Sequence, residues 1–190
     1  MHDLRAYLRL LEARGELVRV HEPVDPVLES TMLCKQALIS GGPALLMEQP
    51  VGAGHMLLGN LFGTRARIEA ALGGRPLASL RELGQLLAAI REPRWPGSLR
   101  DALRQWPQLA QLAHVATRQV RDAAFNEQVL EGDAIDLARL PIQHCWPGDP
   151  APFITLPAVI TKDPRTGVRN VGMYRMQKID ATSTFMHWQV

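Results

Sequence analysis

Prolines stand at positions 141, 147, 150, 152 and 157, and no helix can run through that stretch. Each proline removes an amide donor and clashes with the turn before it. Three β-like runs follow: Thr155 to Thr161, Arg169 to Lys178, and Thr184 to Val190. The first two are joined by Lys162-Asp163-Pro164-Arg165-Thr166-Gly167, a turn of hairpin length. Asp180-Ala181-Thr182-Ser183 is a polar link to the third. The pattern predicts an antiparallel meander. The chain reaches Met186-His187-Trp188-Gln189-Val190 with strand-like residues and no polar fade-out. Three strands with open edges are a poor place for a fold to finish, so the expectation is a truncated piece of a longer protein.

Upstream of about Phe125 the texture is helical. Asp3 is placed to cap a helix whose Leu4, Tyr7, Leu8 and Leu11 fall on one face, and Gly15 supplies a left-handed stop. Leu17 to Val20 reads as a strand, Pro26 to about Ile39 as a helix, and Ala44–Met47 and Met56–Leu61 as two short strands. Helical patterns return at 64–72, 79–90 and 98–118, with breaks at Pro93, Pro96 and Pro107. Strands mixed with helices in this way argue an α/β domain over residues 1–120, with a second domain beginning at 121–190. Gly52-x-Gly54 is not a phosphate-binding glycine motif, because its sixth position is Leu57, and it reads as a loop.

Composition removes several classes of function. Of the 190 residues, 46% are hydrophobic and 21% charged, which excludes wholesale disorder. The 21 Lys and Arg against 19 Asp and Glu are dispersed, giving no nucleic-acid footprint. No apolar stretch approaches the ~20 residues of a membrane span, and the start lacks a signal-peptide core. Cys34 and Cys145 have no CxxC spacing, so a disulfide framework is not expected and a reducing cytoplasm fits best.

The chemistry concentrates in Arg169-Asn170-Val171-Gly172-Met173-Tyr174-Arg175-Met176-Gln177. Strand alternation puts Val171, Met173, Arg175 and Gln177 on one side and Asn170, Gly172, Tyr174 and Met176 on the other. An arginine between Met173 and Gln177 is not core patterning, since buried arginine wants an anion. Gly172 either lets a backbone or flat ligand approach closely, or permits a bulge that turns Asn170 and Arg175 into one pocket. A solvated edge strand explains the same residues equally well. His144-Cys145 reads as structural, because neighbours on a strand point apart and no third orienting group is evident. Trp146-Pro147-Gly148-Asp149 reads as a turn, Met173, Met176 and Met186 as gap fillers, and His187, on the residues alone, as a half-buried strand residue.

Leu140-Pro141-Ile142-Gln143-His144-Cys145-Trp146-Pro147-Gly148-Asp149, then Asn170 to Gln177, then Met186-His187-Trp188-Gln189, together with Leu4-Arg5-x-Tyr7-Leu8 and Arg14-Gly15-Glu16-Leu17 near the start, resemble the UbiD family of decarboxylases. That resemblance implies an α/β N-terminal domain followed by the first strands of a flavin-reductase-like split β-barrel. It further implies non-oxidative decarboxylation of an aromatic or α,β-unsaturated acid with prenylated FMN, a divalent metal (usually Mn²⁺) and a nearby K⁺. By position, Asn170 matches the family's metal ligand, its amide oxygen being a hard donor. Met173, Tyr174 and Arg175, and then His187, Trp188 and Gln189, match its cofactor-contacting runs. Arg175 also matches the arginine of a Glu-Arg-Glu network, able to hold a substrate carboxylate by a two-pronged bond. The remaining ligands and both acidic members lie beyond Val190 in family members, so the 190 residues are expected to be inactive alone.

The implied substrate is 4-hydroxy-3-polyprenylbenzoate of ubiquinone synthesis, with menaquinone-pathway, phenolic or cinnamic acids as alternatives. Implied partners are a flavin prenyltransferase and further copies of the protein, with no nucleic acid. The implied location is the cytoplasm, at the inner membrane surface if the substrate is polyprenylated. A non-catalytic flavin-binding or assembly module would show similar strands but has no reason to carry the Asn170–Arg175 and Met186–Trp188 runs. A flavin reductase would need a nicotinamide site, and no motif suggests one.

Overall fold

A computed structural model describes residues 3–91, 121, 123 and 126–187. It divides into two compact units, one of Met1–Ala71 with Leu130–Val190 and the other of Leu72–Val129. The predicted helix at 98–118 lies outside the described residues.

In the first unit, helix α1 (Leu4–Ala13) starts where its sequence says it should: the Asp3 carboxylate accepts from the Ala6 amide at 2.6 Å. Strand β1 (Leu17–Val20), helix α2 (Glu29–Ile39) and strand β2 (Ala44–Met47) form a β-α-β unit, with β1 and β2 parallel from Leu17↔Ala44 to Val20↔Met47. Strand β3 (Leu57–Gly59) pairs antiparallel with β2. All four residues of β2 are buried, as expected of a central strand covered on both faces. Tyr7, Leu11, Leu17, Ala44, Leu46 and Ala70 make one core cluster, which includes residues of α1 and α3 (Arg65–Ala71). Val24, Leu45 and Met47 make the other, packed by Leu33, Cys34 and Ala37 of α2.

Two differences from the sequence reading have local causes. Helix α2 begins at Glu29 instead of Pro26, because Leu28 takes φ 65° and ψ −46° in a γ-turn closed by the Glu29 amide on the Val27 carbonyl at 2.7 Å. That turn frees Val27 to form a parallel bridge with His144. Strand β3 is three residues long, where six were expected.

The bridge belongs to a seam between the α/β part and the proline-rich segment. The Leu28 amide donates to the His144 carbonyl at 2.9 Å, and the His144 amide to the Pro26 carbonyl at 3.2 Å. The Gln143 side-chain amide donates to the buried Ser30 hydroxyl at 2.9 Å. The His144 backbone thus has a structural place in the seam. Both cysteines are free thiols, and burial pushes the Cys34 thiol up.

Beyond the seam come β4 (Phe153–Ile154), β5 (Ala158–Lys162), β6 (Arg169–Met173), β7 (Met176–Lys178) and β8 (Thr184–Met186). They make two sheets, β5-β6 and β4-β7-β8, all antiparallel. The single strand expected over Arg169–Lys178 is therefore two strands in different sheets, with Tyr174 and Arg175 as the link. The second unit contributes α4 (Ser79–Arg91), whose Leu80, Leu83 and Leu87 form an exposed stripe. Among the described residues no helix is long and apolar enough to cross a membrane.

Candidate functional site

The change of sheet at Tyr174-Arg175 lies between two clefts. The first, of about 470 Å³, is lined by Phe153, Arg175, Gln177, Phe185, Met186 and His187. The second, of about 370 Å³, is lined by residues including Asp163, Asn170, Tyr174 and Met186. Met186 of β8 belongs to both. Their volumes lie in the range of small-molecule sites.

Arg175 and Gln177 share the first cleft, without Val171 and Met173 of the same parity, because the strand breaks between them, and His187 joins from just past β8. His187 is exposed, not half-buried. The Arg175 guanidinium carbon lies 3.7 Å from the centroid of the Phe153 ring. Among the described residues no carboxylate pairs with Arg175, so its charge faces the cleft without an anion. Met173 is 71% exposed on β6 and lines neither cleft.

Asn170 occupies the second cleft and donates from its side-chain nitrogen to the Tyr174 hydroxyl at 3.2 Å. That bond leaves the amide oxygen available to a hard cation. Asp163, in the same cleft, accepts from the Arg165 and Thr166 amides at 2.7 and 3.1 Å, and these bonds hold its carboxyl below the usual aspartate range. Oxygen donors of this kind suit Mn²⁺ or Mg²⁺. Among the described residues no three His, Cys, Asp or Glu side chains gather into a metal site. Trp188 and Gln189 lie outside the described residues.

No bulge turns Asn170 and Arg175 into a common pocket. The β5-β6 register runs unbroken from Lys162↔Arg169 to Ala158↔Met173, and the change of sheet separates the two side chains instead. What approaches Gly172 is neither a backbone nor a ligand but the ring of Tyr174, two residues along the chain. A Cβ there would come within 2.5 Å of Tyr174 Cε2, so the glycine makes room for the tyrosine ring. Gly172→Ala is expected to displace Tyr174 and break its bond to Asn170. Because the ring can swing outward, the cost in unfolding free energy stays under about 1 kcal/mol. Tyr174 ring resonances, read beside a denaturation midpoint, check both halves.

Phe153 was not visible as a site residue in the sequence, since a two-residue strand shows no alternation. Arg67 was also missed. It is 1% exposed inside α3 and donates to the carbonyls of Leu61, Gly42 and Asn60 at 3.0–3.1 Å.

Comparison with known proteins agrees with this architecture along the chain. Residues 8–87 match the family described as 3-octaprenyl-4-hydroxybenzoate carboxy-lyase N-terminal domain, and residues 117–190 its Rift-related domain. An evolved dimeric form of the UbiD-class enzyme HmfF from Pelotomaculum thermopropionicum, solved with prFMN, is 31% identical with a TM-score of 0.75. The match covers 100% of this chain and 39% of that one. Vanillic acid decarboxylase from Sedimentibacter hydroxybenzoicus, in its closed form, is 24% identical with a TM-score of 0.73, over 98% of this chain and 37% of that one. A 3,4-dihydroxybenzoic acid decarboxylase from Enterobacter cloacae is 22% identical with a TM-score of 0.71, over 100% and 37%. At those lower identities the likeness is one of fold. The chain thus spans well under half the length of these solved relatives.

The mixed α/β structure, with two of the family's domains matched in chain order, is that of UbiD-class proteins. The chain belongs to the UbiD family.

Proposed function

We propose that this chain is the N-terminal part of a prenylated-FMN-dependent decarboxylase of aromatic or α,β-unsaturated acids. Residues 1–120 would form its α/β domain, and 121–190 the opening strands of a flavin-reductase-like split barrel. The observation that carries the reading is Arg175: a guanidinium without a carboxylate partner among the described residues, in an apolar cleft beside Gln177 and His187.

When bound, prenylated FMN supplies an electron sink for the charge left by departing CO₂. The protein's part is binding and orientation. Arg175 holds the substrate carboxylate through two parallel N–H donors, a geometry a lysine cannot copy. Met173, Tyr174, Arg175, His187, Trp188 and Gln189 are the cofactor contacts. Asn170 offers its amide oxygen to the divalent metal, Mn²⁺ in the first instance, with K⁺ nearby. The proton donor and the other metal ligands come from residues outside this chain.

The substrate we favour is 4-hydroxy-3-polyprenylbenzoate, the acid named for the family matched over both segments; menaquinone-pathway, phenolic and cinnamic acids are the alternatives. A flavin prenyltransferase supplies the cofactor. The protein works as a homo-oligomer in the cytoplasm, at the inner membrane surface if the substrate is polyprenylated.

The test compares the 190-residue chain with a protein extended to the relatives' length, both reconstituted with prenylated FMN and Mn²⁺. The extended protein is expected to release CO₂ from an aromatic acid and the 190-residue chain to release none. Turnover by the shorter chain would overturn the division of labour proposed here.

A further inference from the structure

Arg175 sits where the backbone restrains it least. Ladder pairs reach Met173 on one side and resume at Met176 on the other, so neither sheet holds Tyr174 or Arg175 by register. A free arginine side chain carries about 2 kcal/mol of rotamer entropy, which a binding arginine must give up each time it engages an anion. Apart from the acidic partners expected outside this chain, a restraint has to come from something other than the ladder.

That restraint is on β4. Phe153 pairs with Gln177, two residues beyond Arg175, which brings the phenyl ring diagonally under the guanidinium at 3.7 Å. The backbone that carries the ring is well anchored. The Phe153 amide donates to the Gln143 carbonyl at 2.9 Å, and the Gln143 side chain reaches the buried Ser30 of α2. On the other side of Phe153, the Lys178 amide donates to the Pro152 carbonyl at 2.9 Å. The platform under Arg175 is therefore fixed by the α/β part of the unit through the seam.

We propose that Phe153 is a positioning residue for Arg175, stacking on its guanidinium to pre-set it for a carboxylate in the cleft. An aromatic face attracts a cation through its quadrupole and covers only the flat of the guanidinium. The N–H donors lie along the edge and stay free for two-pronged bonding. The inference rests on the reading of Arg175 as the carboxylate holder, and it explains why an aromatic stands on a strand of only two residues.

The test places 4-fluoro-, difluoro- and trifluorophenylalanine at position 153 of the 190-residue chain. These keep the ring's shape while draining its quadrupole step by step, so folding is not at issue. Two readouts are taken: the Arg175 Nε–Hε resonance and the affinity for benzoate as a probe carboxylate. The expected result has three parts. Ring-current shielding of Hε is present in the native chain and absent in F153L. Benzoate affinity falls stepwise with fluorination, about 2–5-fold in all. F153W retains both the shielding and the affinity. Absence of shielding in the native chain, or affinity flat across the fluorinated series while R175A weakens it, overturns the positioning role. If R175A leaves benzoate affinity unchanged while shielding persists, the stack stands as geometry but the carboxylate reading and the function built on it both fall.

Discussion

Replacing Arg67 by alanine is expected to lower the unfolding free energy by about 3–5 kcal/mol, the range seen when one partner of a buried ionic or charge-assisted network is removed. Three observations set that scale. The side chain is 1% exposed, its Nε and both terminal nitrogens each donate to a carbonyl, and the Glu16 carboxylate stands 4.0 Å away. Removing it leaves the Leu61 carbonyl without its donor and weakens the bonding of the Gly42 and Asn60 carbonyls, which keep the Asn60 side-chain amide and the Gly63 amide at 3.3 Å, and it empties the space of a fully buried side chain. The backbone of Arg67 is also engaged, since the Tyr7 hydroxyl donates to its carbonyl at 2.6 Å. Arg67→Lys keeps the charge and loses the planar fork, so it should recover less than half of the loss. Urea denaturation of the two variants beside the parent chain checks this, and a loss below about 1 kcal/mol for R67A would mean that the carbonyls find other partners.

Arg175→Ala is expected to do the opposite: leave stability within about 0.5 kcal/mol, as befits an exposed residue, while removing function. CO₂ release by the extended protein should fall about 10²–10³-fold, the usual cost of losing one preorganised charge-bearing donor. Arg175→Lys should not restore it, because a point charge lacks the fork. Measuring turnover and denaturation midpoint on the same samples separates this from the Arg67 case: loss of midpoint marks an arginine that holds the fold, and loss of turnover alone marks one that works on a ligand. A variant that lost both would place Arg175 in the fold.

What could be read in advance divides along the range of the interactions involved. Asp3 capping α1, the Gly15 stop and the buried β2 strand are fixed by neighbours in sequence, so spacing and residue type revealed them. The Lys162–Gly167 turn was legible for the same reason: Asp163 folds the chain onto the Arg165 and Thr166 amides. The change of sheet at Tyr174-Arg175 was not, because it is decided by Phe153↔Gln177 and Ile154↔Met176 pairing with a strand too short to show a period. Arg67 was missed because Arg65-Ala66-Arg67 looks like any solvated helix face; only the carbonyls converging on it from residues 42, 60 and 61 mark it as interior. Gly172 was read as admitting a backbone, a flat ligand or a bulge; the unbroken β5-β6 ladder excludes the bulge, and the space is taken by the Tyr174 ring, a contact that residue alternation does not reveal. The candidate site residues themselves were legible as a family pattern rather than as physics, since alternation alone fitted a solvated edge equally well.

The seam has a consequence for the order in which the chain acquires its structure. Ser30 and Gln143, which meet at 2.9 Å, are 113 residues apart, and Leu72–Val129 lie between them in the chain as a unit of their own. A loop of that size costs conformational entropy to close, a cost that grows only slowly with length but falls due before the contacts it brings can repay it. During synthesis, α1 to α3 with their three strands are complete long before Gln143 leaves the ribosome. The platform under Arg175 is thus assembled late, once the distant segment has returned to α2. An inserted unit that folded slowly would delay the chemistry without touching a single residue of the cleft.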